Sequence, residues 1–174
     1  MELRAGHKDT EIGILPEEWG IDRAANLASI TTGTRNTQDR IEDGSYPFFV
    51  RSSTVERINT WSFDGEAVLT AGDGVGTGKV FHYINGRFDC HQRVYRISDF
   101  SGRLYGRFFY YFFSDRFYRR IMSMTAKSSV DSVRMEMIAG MPIPLPPITE
   151  QRAIATALSD VDALISSLDK LIAK

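Results

Sequence analysis

The sequence predicts a mixed α+β chain, with a β-rich globular part followed by one long C-terminal helix of coiled-coil type. Three observations carry this. Between Leu15 and Ile97, short β-branched and aromatic runs alternate with Gly, Pro and Ser at strand-like lengths. Leu104 to Met122 is an aromatic-rich stretch free of breakers after Gly106. Four of the six prolines then stand at Pro142, Pro144, Pro146 and Pro147, and no Gly or Pro interrupts the run from there to Lys174. Fixed φ and missing N–H groups make the proline segment extended and stiff, so the helix has to begin after it.

At 174 residues and 43% apolar composition, the chain is one domain with ample material for a core, plus an appended element. Its single cysteine, Cys90, excludes an internal disulfide framework. No apolar run approaches the length of a membrane span, and the start MELRAGHKDTEIG is charged rather than signal-like. A cytoplasmic protein is expected. The net charge of −1 is unevenly placed: residues 1–22 hold two basic and six acidic side chains, 23–140 sixteen and twelve, 141–174 three and four. The middle is therefore +4, and its cations are fourteen Arg to two Lys. Arginine's planar fork suits phosphate and the O6/N7 edge of guanine, although a modest excess of this kind is also an ordinary solvated face.

In order, Leu15 to Gly20 reads as a turn with Trp19 as an anchor, and Asp22 is placed to cap a short helix through Leu27. Ser29 to Thr32 is strand-like, the polar stretch Thr34–Ser45 a loop carrying Arg35 and Arg40, and Tyr46 to Val50 a strand marked as an edge or a start by Pro47. Arg51-Ser52-Ser53-Thr54 follows as a polar turn of the kind that contacts phosphates and base edges. After a strand from Glu66 to Ala71 comes GDGVGTGK, Gly72 to Lys79. It lacks the P-loop's first glycine and final hydroxyl and the dinucleotide motif's last glycine, so a glycine loop joining two strands is the stronger reading. Exposed backbone N–H groups beside Lys79 would nonetheless suit an anion, which leaves a phosphate- or nucleotide-binding domain as the alternative.

Val80 to Ile84 is a strand, and Asn85-Gly86 predicts a type I′ hairpin returning through Arg87–Cys90 toward Gln92–Ile97. Cys90 and His91, with His82 nearby, fall short of the four ligands a closed zinc site takes, so no metal is expected. The aromatics of residues 104–122 spread around most of the helix and read as core. Ser123 to Ser132 is a polar loop with Lys127, Ser128 and Ser129, and Arg134 lies just beyond. In the last element Thr149 is the expected cap. Ile154, Leu158, Val161, Ile165, Leu168 and Ile172 make a four-three seam along one side. At 1.5 Å per residue the helix would reach about 39 Å, longer than a small domain is wide. A partner helix is the expected cover for the seam.

Taken in this order, the loop after Gly33, YPFFVRS, GDGVGTGKVF, FDCHQRVYRI, TAKSSVDSVR and IPLPPITEQRAIA resemble the DNA-specificity subunit of type I restriction-modification systems. The resemblance covers nearly the whole chain, and its most specific part is PLPP-x-x-EQ-R at Pro144–Arg152. It implies a target recognition domain over residues 1–141, a proline-rich junction over 142–148, and a spacer and dimerisation helix over 149–174. Such a domain reads one half of a split target in double-stranded DNA. By the same resemblance the helix would pair antiparallel with a second specificity half or a copy of itself.

The family is not catalytic. It places a modification (methyltransferase) subunit, which uses S-adenosylmethionine, over an adenine flipped from the stack, and a restriction subunit joins through the complex. No Asn/Asp-Pro-Pro-aromatic motif, complete P-loop or nuclease carboxylate pattern is present here, so neither a catalytic residue nor a cofactor is expected on this chain. Family members commonly carry two domains and two helices. One of each points to a half-length subunit or a fragment. The expected DNA contacts are Arg35, Arg51, Ser52, Ser53, Thr54, Lys79, Arg93, Lys127, Ser128 and Arg134, acting as one face.

Overall fold

The computed structural model describes residues 5–124 and 132–173. In chain order the elements are β1 (His7–Thr10), β2 (Gly13–Pro16), β3 (Gly20–Arg23), α1 (Ala24–Leu27), β4 (Ser29–Thr32), β5 (Tyr46–Phe49) and β6 (Val55–Ile58). They continue with β7 (Phe63–Ala71), β8 (Phe81–Cys90), β9 (Val94–Ser98), α2 (Gly106–Ser123), α3 (Met135–Ala139), β10 (Pro142–Leu145) and α4 (Ile148–Ile172). The fold is mixed α+β: a six-stranded sheet of order β4-β9-β7-β8-β5-β6, two small two-stranded sheets, one packed helix and one long terminal helix.

The sheet curls back on itself. Phe63 pairs with Phe88 and Ala71 with Val94, so partners eight residues apart on β7 are only six apart on the connecting chain. Eight strand residues span about 26 Å and six extended residues at most about 21 Å, so β7 and β8 cannot be straight and flat. Gly65 and Gly86 face each other across the ladder, at φ +150° and +145°, backbone that a side chain rarely permits. The bend sits there. Asn85-Gly86 is therefore no hairpin turn: β8 runs unbroken from Phe81 to Cys90, and β7 and β8 are joined by the glycine loop instead. Glycine's freedom bends a strand here rather than ending it.

Strand alternation divides the core. Val68 and Ile97 face α2, where Phe109, Phe113 and Phe117 stack in succession at centroid distances of 5.0 and 4.4 Å. Ala67 and Leu69 point the other way, into the curl, against Phe49, Phe88, Cys90 and Val94. The α2 aromatics are thus core, and each fully buried ring contributes on the order of 2–3 kcal/mol.

The proline segment has a partner. β10 pairs antiparallel with β3, and the Ala24 N–H donates to the Met141 carbonyl at 3.0 Å. Period two then makes Ile143 and Leu145 the ladder donors and turns Pro142 and Pro144 to the side that needs none. Asp22 does not cap α1, whose N-cap position is Arg23. Its carboxylate instead accepts from Asn26 and Arg103. Likewise α4 starts two residues earlier than a Thr149 cap would set, with Pro147 at its N-cap position and Thr149 inside the first turn. Glu150 there accepts the Trp19 indole N–H at 3.2 Å. Gln151 and Ala155 are buried and Ile154 packs on the core, whereas from Leu158 onward the seam is bare: Val161 is 52% exposed and Ile172 83%. Among the described residues, no helix is long and apolar enough to cross a membrane.

Candidate nucleic-acid interface

Because the sheet curls, loops far apart in the chain meet at one end of it. β4 hands over to the Arg35 loop, whose Arg35 N–H donates to the Cys90 carbonyl and whose Arg35 carbonyl accepts from the Gln92 N–H. The Gln92 side chain reaches Asn36 at 2.6 Å. The glycine loop docks on the Arg93 carbonyl through the Gly72 N–H at 2.8 Å, and the Gly72 carbonyl accepts from the Val133 N–H at 2.7 Å. At Gly76 the loop backs onto the Arg51 carbonyl so closely that an added Cβ would lie 2.4 Å from it. Arg51, Ser52 and Ser53 line an open groove of about 600 Å³ with Gly74, Val75 and Lys79.

This brings together Arg51, Ser52, Ser53, Thr54, Lys79 and Arg93 from the expected set, all exposed. Arg134 follows directly on the Val133 link, with its guanidinium loosely beside Glu136 at 3.9 Å. Lys79 is poised over the Tyr118 ring, 5.5 Å from its centroid. Arg35 is differently employed: its Nε donates to Asp89 at 3.1 Å, and that fully buried carboxylate also accepts from Thr60 and Ser62, both at 2.8 Å. One edge of the Arg35 fork is therefore an internal tether, and its side chain is only 38% exposed. Lys127 and Ser128 lie outside the described residues.

The group that sequence reasoning did not single out is Asp73. Its Oδ1 takes an Arg51 terminal nitrogen at 2.9 Å and its Oδ2 stands 3.7 Å from the Arg93 Nε, so one carboxylate bridges two loops. Its position between two glycines was the available signal. Behind it His91 is buried, and burial together with the Arg51 charge lowers its pKa. Its Nδ1 accepts the Arg93 N–H at 2.9 Å, as a neutral imidazole does. The His82 ring N–H reaches the Ser52 carbonyl at 3.1 Å, and burial lowers its pKa too.

Two other chemistries find little here. The glycine loop leads into a strand, and its Thr77, Lys79 and Val80 N–H groups already donate to Gly74 and Gly76 carbonyls, which takes those three out of an anion cradle. Cys90 is buried, with its thiol pushed up to about 12 chiefly by that burial. Among the described residues, no group of three or more His, Cys, Asp or Glu side chains is arranged to hold a metal ion.

The same architecture occurs in solved structures. The S subunit of a type I restriction-modification system from M. genitalium superposes with a TM-score of 0.73 at 19% identity, covering 99% of this chain and 44% of that one. The HsdS subunit from Thermoanaerobacter tengcongensis gives 0.64 at 15% identity, over 90% and 40%. These likenesses are of fold. In sequence, the chain is 31% identical over 155 residues to the EcoDI type I restriction enzyme specificity subunit of Escherichia coli, covering 89% of this chain and 34% of that protein. A putative type I specificity subunit from Haemophilus influenzae is 23% identical over 152 residues, covering 86% of this chain and 38% of that protein. The chain thus spans little more than a third of the curated relatives' length. Residues 16–174 match the family described as type I restriction modification DNA specificity domain. The chain belongs to that family.

Proposed function

We propose that this chain is the DNA-reading part of a type I restriction-modification complex, taking one half of a split target through its loop face and docking the methyltransferase subunit. The observation that supports this reading is the gathering of Arg51, Lys79 and Arg93, from three separate chain segments, around the glycine loop of a domain belonging to this family, with Arg134 exposed just beyond the Val133 link. Arginine forks there suit guanine edges and Lys79 suits a phosphate. The chain itself supplies no catalytic group. The methylating partner brings S-adenosylmethionine and the pocket for the flipped adenine, and the restriction subunit joins through the assembled complex.

The α4 seam supports pairing with a second specificity half or a second copy. Reversing it about Ala163 maps Ile154 onto Ile172, Leu158 onto Leu168 and Val161 onto Ile165, so an antiparallel partner of the same sequence meets apolar side chains in every layer. A symmetric pair would present two loop faces related by a two-fold axis, and its target would be an inverted repeat.

The test is methylation in vitro with this chain, its modification subunit and labelled S-adenosylmethionine, followed by sequencing of the modified adenines. Modification confined to a defined split sequence is expected. Unselective labelling, or none from folded chain where a two-domain subunit does direct methylation, overturns the reading.

A further inference from the structure

We propose that Asp73 is a positioning residue for sequence discrimination: it fixes the Arg51 and Arg93 forks in the reading orientation and lowers affinity for DNA of the wrong sequence. This rests on the DNA-reading function proposed above and deepens it. Asp73 engages Arg51 through one terminal nitrogen and approaches Arg93 through Nε, at 2.9 and 3.7 Å. Both terminal nitrogens of Arg93, and the Nε and second terminal nitrogen of Arg51, lie outside these two contacts. Each set suits a two-pronged contact to guanine O6 and N7. The backbone that carries the carboxylate is held in turn, since Gly72 is bonded to Arg93 on one side and to Val133 on the other, and Asp73 bridges to Ser132.

Stability does not explain the arrangement. The two arginines are 45% and 67% exposed, and pairs so wetted contribute little to folding. Its effect falls on binding. A free arginine loses considerable rotamer freedom when it meets a base, and one already held loses less. Meanwhile a negative charge at the centre of a DNA-facing surface opposes every phosphate, matched or not. The right sequence keeps the oriented forks, and all others meet the repulsion, which widens the gap between specific and non-specific binding.

The test uses the complex of this chain with its modification subunit, a pool of randomised duplexes for enrichment, and a single random-sequence duplex for titration against salt. Asp73→Asn is expected to bind the random duplex several-fold more tightly, with a log–log salt slope steeper by about one. In the enriched pool it should lose about tenfold of the preference at guanine positions. Asp73→Glu keeps the charge and should restore the weak random-duplex binding, which a purely structural role would not predict. In an Arg51→Ala, Arg93→Ala background, Asp73→Asn should leave guanine preference unchanged. An unchanged motif and salt slope in Asp73→Asn, or an equal fall in all binding, overturns the inference alone. A wild-type complex that enriches no motif overturns the DNA-reading function with it.

Discussion

Gln151 has no exposed surface, yet its amide is fully occupied. Its Oε1 accepts the Tyr105 N–H at the start of α2 at 2.8 Å, and its Nε2 donates to the Arg103 and Pro146 carbonyls at 2.9 and 2.8 Å. One side chain thereby anchors the residue before α2, ties down the preceding loop and fixes the entry into α4. Gln151→Leu keeps the volume but leaves a buried N–H and two carbonyls without partners, so we expect a loss of about 2–4 kcal/mol in urea unfolding. A loss below about 1 kcal/mol would mean that water or a backbone shift replaces the amide. The sequence placed this glutamine in a recognisable EQ-R run, but nothing local names partners 46 and 48 residues away. The same distance hid the tether on Arg35. A loop arginine reads as free until the fold brings Asp89, 54 residues on, beneath it.

At the scale of elements, hydrophobic period was the reliable guide and turn chemistry the unreliable one. The strand from Ser29 to Thr32, the aromatic helix and the terminal helix stand within a few residues of where periodicity puts them, because burying one face dictates that period. Asn85-Gly86 misled because positive φ serves a bend as well as a turn, and only the facing Gly65 decides which. Gly86→Ala isolates the point: a Cβ there meets nothing within 4 Å, so any loss comes from the backbone alone. We expect Gly86→Ala to cost about 1–3 kcal/mol and Gly102→Ala, equally open but without positive φ, almost nothing. Equal thermal stability of the two variants would remove the bend's rationale.

α4 makes its own division, since Gln151 and Ala155 belong to the core while Val161 and Ile165 face solvent. A cut at Pro147 would damage the domain, whereas Val161→Asp with Ile165→Asp changes only the bare part. We expect sedimentation to show a paired wild type and a monomeric double variant with the same melting temperature. A variant that still pairs would place the interface elsewhere.

For the whole molecule, a net charge of −1 gives no hint of an anionic partner, because it sums an acidic first stretch with a basic middle, and the fold then sets which of the middle's cations are paired. Glu11 pairs with Arg23 at 2.9 Å and Asp22 with Arg103 at 2.8 Å, while the proposed contacts Arg51, Lys79, Arg93 and Arg134 are all exposed. If these four were all to meet phosphates, the log–log salt slope would approach about −3.6, and each cation diverted to a base edge or to Asp73 subtracts about 0.9. The two roles are therefore separable by salt. Lys79→Ala should weaken binding to every duplex alike and flatten the slope by about one, since a lysine on a phosphate releases a counterion without reading sequence. Arg51→Ala should instead cost about 1–3 kcal/mol on the preferred sequence and relax one base position, with a smaller change on random duplex. Titrating both variants against matched and random duplexes between 50 and 200 mM salt, on the order used to resolve such slopes, checks the assignment. If Lys79→Ala altered the preferred bases, or Arg51→Ala weakened all sequences equally, the face would have to be divided between base and phosphate the other way round.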